Sequence, residues 1–413
     1  MELSKGKRNF LVVLISFMVG IIYFIPYIRF TFYDQTIAAF QLTNMELGNL
    51  GAVYGLVALF CYPISGFLAE KFSPKLLLAA SFIGTAAMTF WQASFPSYGA
   101  LLVIYILFAF FTTATLWSPY IAVLRNLGTE EEQGKLFGIS EAMRGIVSTV
   151  TGFVFVWILS LFADAVGGFR AILIIGAVVY IIFAALAIIF LPKNVSREEK
   201  ENEGKKEKGS ILKALKLPGV WLMGLFIFSC YSIIAAGINY LGTYTTQILG
   251  VSASVSSSLA IIRSYVLTVV AGIGAGIIAD KFKSRLIFLV YVLIALIVCA
   301  VATPFLSNLV TLAIIVTMVL SLLYFMMKSV YFSIMGESGI PVAMTGIASG
   351  IVSFIGFIPD AFITSLMGSW LDKDPVTGFN MIFAWIAIWG VIAIVLALVI
   401  YKRGKKNQLI HEK

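Results

Sequence analysis

The sequence predicts an all-α integral membrane protein, with twelve transmembrane helices in two pseudo-symmetric six-helix bundles. Three observations predict it. Of the 413 residues, 60% are hydrophobic and only 12% charged, with a mean hydropathy of +1.00. Soluble domains carry about 45–50% apolar and about 25% charged residues, so no soluble domain could cover this much apolar surface. Runs of about 20 mostly apolar residues, the length that spans a bilayer, recur along the whole chain. Finally, a short polar motif at 66–75 returns at 276–285.

Cutting the chain at its polar breaks gives spans at 10–36, 46–66, 75–94, 99–124, 136–162, 168–191, 219–246, 254–278, 286–304, 308–332, 341–369 and 378–401. The first follows a basic start, Lys5, Lys7 and Arg8, without a secretory cleavage pattern, and is expected to be retained. The runs are long and continuous, unlike the ten-residue alternating segments of a β-barrel. Between the sixth and seventh lies a mixed-charge stretch, KNVSREEKENEGKKEKGS, too polar to bury and expected to act as a solvated linker. The expected division is therefore a bundle at 1–192, a linker at 193–217 and a bundle with a short tail at 218–413.

Charge sets the orientation. With the N-terminus in the cytoplasm, 23 of the 29 Lys and Arg residues fall in cytoplasmic segments. The net charge of +9 is thus positive-inside bias rather than a nucleic-acid surface. Both termini are expected on the cytoplasmic side of a cell (inner) membrane. Cys61, Cys230 and Cys299 all sit in apolar runs, and the one histidine, His411, lies in the tail. Neither a disulfide framework, a metal site nor a His-based triad is supported. No P-loop or Gly-x-Ser-x-Gly elbow appears either, so the chain is not expected to be an enzyme and calls for no cofactor.

The repeat reads Gly66-Phe-Leu-Ala-Glu70-Lys71-Phe-Ser-Pro-Lys75 after span 2 and Gly276-Ile-Ile-Ala-Asp280-Lys281-Phe-Lys-Ser-Arg285 after span 8. The offset of 210 residues is about half the chain, which implies two related bundles. Glycine lets helices approach closely. Glu70 with Lys71, and Asp280 with Lys281 and Arg285, can form charge-assisted latches that open in one state and close in another.

With these features the chain resembles the major facilitator superfamily, whose loop pattern is roughly G-x-x-x-D-R/K-x-G-R/K-R/K. Glu70 replaces the acidic Asp, and Ser73 and Lys283 stand where the family has a loop glycine. The resemblance implies alternating access by rocking of two six-helix bundles around a central site.

Charges inside the spans carry the functional expectation, because a membrane arginine costs about 2.5–3.5 kcal/mol even on insertion scales. Arg29 follows Tyr23, Pro26 and Tyr27 in span 1, a cationic, aromatic patch whose guanidinium fork suits a carboxylate or phosphate. Here the chain is similar to the organophosphate/phosphate antiporters and related anion symporters, whose span 1 carries a substrate-binding arginine. In the phosphate antiporters a second arginine occupies the symmetry-related place on span 7. That position here is Asn239, which favours a singly charged or partly neutral substrate. The alternative for Arg29 is snorkelling or pairing with Asp34. Arg263, near mid-membrane in span 8, either contacts substrate or pairs with Asp360 of span 11. Glu141 and Arg144 share a face of span 5 and form either a structural ion pair or a titrating carboxylate with its neighbour. Asp360 is the better proton-coupling candidate.

The expected function is proton-coupled uptake of a small organic anion, a sugar acid or other carboxylate ahead of a sugar phosphate. The protein is expected to act as a monomer in the lipid bilayer, with no nucleic-acid partner. A transporter of neutral sugars or nucleosides, and a drug efflux pump, are the rival classes.

Overall fold

The computed structural model describes residues 5–128, 132–191, 208–341 and 344–411; most of the expected linker lies outside these residues. Every regular element among them is helical. Among the described residues, eleven helices are long and apolar enough to cross a membrane, and they correspond to the expected spans two to twelve.

The expected first span is divided. Helix α1 (Lys5–Ile22) gives way to turns at 23–27 and a 3-10 turn at Ile28–Phe30, before a short α2 (Tyr33–Phe40). The cause is Pro26, which has no N–H and whose ring crowds the carbonyl four residues earlier. That carbonyl belongs to Ile22, where α1 stops. The buried Tyr180 hydroxyl takes over the freed backbone groups, donating to Ile22 O at 3.1 Å and accepting from Ile25 N–H at 3.2 Å. In a bilayer every backbone polar group needs such a partner.

The chain then runs through α3 (Asn44–Lys71), α4 (Pro74–Ala93), α5 (Tyr98–Ala109), α6 (Trp117–Arg125), α7 (Gln133–Ser160) and α8 (Ala165–Phe190). Polar side chains start these helices where the sequence turns apolar. Thr43 and Glu46 form a capping box on α3, Ser73 caps α4 just before Pro74, and Asp164 accepts from the Val166 and Gly167 N–H groups at α8. The second half comprises α9 (Lys208–Leu215), α10 (Pro218–Gln247), α11 (Ala253–Ile261), α12 (Leu267–Ala279), α13 (Arg285–Ala302), α14 (Val310–Val330), α15 (Thr345–Gly356), α16 (Ile363–Lys373) and α17 (Pro375–His411).

Contacts divide the chain into two compact units, Met1–Glu199 with Ser252–Val266, and Lys200–Val251 with Leu267–Lys413. In unit 1, α4 packs on α8, α1 on α7 and α3 on α5, and α11 also lies against α7. Unit 2 is built on α10, which packs against α15 and α17, with α13 against α17 and α12 against α14. Each unit has its own dry core, with Phe82, Tyr105, Phe108 and Phe169 buried in one and Phe226, Tyr240, Tyr324 and Phe379 in the other.

Their outward faces are apolar as well. Phe60, Trp157 and Ile189 in unit 1, and Ile273 and Val298 in unit 2, are each more than 60% exposed. A soluble surface does not carry such side chains in the middle of its helices, whereas hydrocarbon solvates them without cost. The protein is a multi-pass membrane protein.

Candidate functional site

Three of the five membrane charges that the sequence marks lie where α-helical geometry is interrupted; Glu141 and Arg144 lie within the continuous α7. Arg29 is on the 3-10 turn Ile28–Phe30, Arg263 on a π-helical segment, Ile262–Val266, and Asp360 on a 3-10 turn, Ile358–Ala361. Pro26 and Pro359 account for the first and third breaks. Interruptions of this kind occur at functional sites because they free backbone groups and re-aim side chains.

In unit 1 the Arg29 residue is 5% exposed and forms no ion pair among the described residues, and its Nε has no hydrogen-bond partner. The expected alternative, pairing with Asp34, is therefore not what the geometry contains. The guanidinium lies 4.8 Å from the Phe30 ring centroid. Phe30 stacks on Tyr27 at 5.0 Å, and Tyr27 on Tyr23 at 5.9 Å. Tyr23 in turn meets the Arg144 guanidinium at 5.9 Å. An aromatic stack thus joins two arginines. Arg144 is paired, its Nη1 donating to Glu141 Oε1 at 2.6 Å; Arg29 is not. Tyr54 closes the side of the stack, 5.0 Å from Tyr27, with its hydroxyl 2.6 Å from Thr112 Oγ1. Tyr23 donates to the Thr112 carbonyl at 2.8 Å, inside a π-helical segment at Phe110–Ala114.

Arg263 clusters with unit 1 as well. It is buried, with Nε donating to Leu259 O at 3.3 Å. Nearby on α11, Ser257 accepts from Gln35 Nε2 at 3.0 Å. Tyr265 stacks on Phe24, centroids 6.3 Å apart.

Unit 2 holds the other two candidates. Asp360 Oδ2 accepts from the Tyr231 hydroxyl at 2.7 Å, and Tyr231 is packed on Phe357 at 4.7 Å. Asn239 is 5% exposed, with Nδ2 donating to Ala235 O at 2.7 Å and Oδ1 without a hydrogen-bond partner.

The loop motif is best seen in unit 2. Arg285 Nη2 pairs with Asp280 Oδ1 at 2.9 Å, both partly exposed. Lys281 is exposed. Glu337 completes the cluster by accepting from the Ser284 hydroxyl and from Arg285 N–H, the latter at 3.0 Å. Asp280, Ser284, Arg285 and Glu337 line a cavity of about 430 Å³. In the unit 1 copy, Lys71 Nζ sits 4.2 Å from the Phe67 ring centroid, and the side chain of Glu70 lies outside the described set. Sequence reasoning missed Glu337 because adding the repeat offset to Leu127 reaches it, and an apolar counterpart flags nothing. It also missed Phe30 and Tyr54, which look like ordinary membrane aromatics.

The profile of the Major Facilitator Superfamily matches residues 9–364. The chain is 29% identical to the Inner membrane protein YqcE of Escherichia coli (strain K12), over 91% of this chain and 90% of that one. It is 30% identical to the Inner membrane protein YihN of the same organism, over 98% and 99%. Among solved structures, a bacterial homolog of the human lysosomal transporter Spinster aligns with TM-score 0.73 at 15% identity, covering 98% of each chain. A D-xylose-proton symporter aligns with TM-score 0.73 at 16% identity, covering 95% of this chain and 97% of that one. The solved neighbours are transporters rather than enzymes.

Proposed function

We propose, from the premise that the chain belongs to the Major Facilitator Superfamily, that this secondary transporter takes up a small organic anion with protons by alternating access. The substrate class rests on one observation: Arg29 is 95% buried without a counter-charge among the described residues. An unpaired buried charge is strongly unfavourable, and an anionic substrate relieves that penalty on binding. A monocarboxylate such as a sugar acid fits better than a phosphate dianion, since the symmetry-related position holds the neutral Asn239 rather than a second cation. The structural likeness to the D-xylose-proton symporter is one of fold alone at 16% identity, so it does not argue for a neutral sugar.

In this reading Arg29, with Tyr23 and Tyr27 alongside, receives the anionic group, and Asn239 and Arg263 make further substrate contacts. Asp360 carries the coupled proton, with Glu141 as the second candidate. Its hydrogen bond from Tyr231 supports that role, and the 2.6 Å Glu141–Arg144 pair favours a structural one for Glu141. Asp280, Lys281 and Arg285 form one gating latch, and Glu70 and Lys71 the other. The protein works as a monomer of twelve spans, six on each side of the linker, with both termini in the cytoplasm.

Reconstitution in liposomes tests this. An imposed inward proton gradient should drive accumulation of a carboxylate, Arg29→Ala should abolish it, and Asp360→Asn should retain exchange while losing the response to the gradient. Gradient-driven uptake of neutral sugars or nucleosides, unchanged in Arg29→Ala, would overturn the substrate class.

A further inference from the structure

Helix α3 meets the Arg29 side chain in two ways, one direct and one through a chain of rings. The direct contact is at Gly51, inside the helix. The guanidinium lies against the backbone there, and a Cβ built on Gly51 would overlap Cζ, Nη1 and Nη2. That Cβ would stand at nearly the same distance from all three atoms. A group at the N–H edge would be nearer the nitrogens than the carbon. Gly51 therefore backs the flat face of the guanidinium and not the edge, which is where a guanidinium donates.

The indirect contact starts at Tyr54, three residues further along the same face of α3. Tyr54 meets Tyr27 edge-on at 5.0 Å, and Tyr27 stacks on Phe30 at 5.0 Å with ring planes 11° apart. The Phe30 centroid is 4.8 Å from Arg29 Cζ. At the other end, the Tyr54 hydroxyl is anchored 2.6 Å from Thr112 Oγ1. Gly51, Arg29, Phe30, Tyr27 and Tyr54 thus form a closed circuit of contacts that begins and ends on α3. Such a circuit fixes both the position and the plane of an otherwise flexible side chain, as bidentate recognition requires. Glycine is a poor residue inside a helix, because it gives up more backbone freedom on folding than alanine does. At position 51 it is what leaves the guanidinium its place.

We infer that Gly51 is a positioning residue for anion recognition: it sets the plane of the Arg29 guanidinium, so that the N–H edge can make two parallel bonds to a carboxylate. This role rests on the anion-transport reading and deepens it. A methyl group at position 51 would drive the guanidinium back by about 1 Å to reach ordinary contact, whereas a bidentate site tolerates only about 0.5 Å. The displaced atoms are the free end of a flexible side chain, so the fold gives way there cheaply. Alanine should therefore favour the helix and harm the site.

The test is isothermal titration and thermal unfolding of the purified full-length protein, with gluconate, glucuronate, lactate and pyruvate as probes. At least one should bind the parent. Gly51→Ala should weaken that binding about tenfold or more, with a ligand-free melting temperature at or above the parent's. Arg29→Lys should weaken binding in the parent, yet restore part of the loss in the Gly51→Ala background, because an ammonium needs less room than a guanidinium fork. A packing role for Gly51 gives the opposite on both counts: a lower melting temperature, and losses that add. Either of those results overturns the positioning role. If Arg29→Ala abolishes binding while Gly51→Ala keeps parental affinity, Gly51 positions nothing and the transport reading stands. If none of the four probes binds the parent, both fall.

Discussion

Tyr180→Phe isolates the device that holds the broken first span. In the parent protein the Tyr180 hydroxyl is buried and serves two backbone groups exposed by Pro26, accepting from Ile25 N–H at 3.2 Å and donating to Ile22 O at 3.1 Å. Removing one oxygen leaves both without that partner, in a residue environment only 1% exposed. Side-chain hydrogen bonds in membranes average only about 0.6 kcal/mol, because the unfolded chain in lipid finds other partners. Backbone groups orphaned by a proline have no such alternative nearby, so about 1–3 kcal/mol per group applies. Allowing for relaxation, the expected loss is about 2 kcal/mol, or roughly 4–8 °C in apparent melting temperature for a unit of this size. Tryptophan fluorescence of the purified protein during heating reads this directly. Tyr291→Phe is the control, since that ring is 61% exposed on the outer face of unit 2. Equal melting temperatures for the two variants would refute the assignment of Tyr180 as the partner of the broken backbone.

Other consequences are equally concrete. Glu337→Gln keeps an acceptor but removes the charge at the start of α13, and should destabilise unit 2 by about 1 kcal/mol, measured as a drop in melting temperature. Asp280→Asn breaks a partly exposed pair and should change stability by less than about 1 kcal/mol, while slowing transport in liposomes; a large stability loss with normal transport would make the pair structural. Thr43→Ala removes the capping box of α3 and should cost about 1 kcal/mol, visible as faster amide exchange at Glu46. At the start of α17, the Thr377 side chain and, second, its N–H at 2.8 Å hold the exposed Asp374 carboxyl below the usual carboxylate range. A depressed folded value means the cap contributes above the unfolded value and is lost as pH falls through the folded one. Exchange at the Thr377 amide should therefore accelerate only below about pH 4, and Asp374→Ala should remove that pH dependence.

Much of this architecture is legible in the sequence because hydrocarbon imposes length and composition directly. Spans two to twelve appear where the apolar runs are, and the repeated motif marks equivalent turns. The first span shows the limit of that reasoning. Its composition spans a bilayer, but Pro26 removes one hydrogen bond and the helix ends four residues earlier. Proline in the sequence announces a disturbance without saying whether it bends the helix or divides it; the outcome depends on Tyr180, 154 residues away. The same holds for the charges. Arg29, Glu141 and Arg144 stand out because charge is rare in these spans, and their spacing predicts the Glu141–Arg144 pair. Gly51 does not stand out, since glycine is unremarkable in a membrane helix until packing leaves it against a guanidinium. Ser252–Val266 clusters with the first unit, a long-range preference that no local pattern encodes.

The divided first span also has a mechanical consequence. Its two helical pieces are anchored on different neighbours, α1 on α7 and α2 on α8. An intact helix would transmit any rotation of one piece to the other through its backbone ladder. Here the ladder is already open at Pro26, and the joint between the pieces carries the Arg29 turn. Relative movement of α7 and α8 is therefore absorbed at that joint, as torsion of a few residues rather than as bending of a rod. Arg29 is the side chain mounted on the pivot, so small rearrangements within unit 1 become changes in where its charge points.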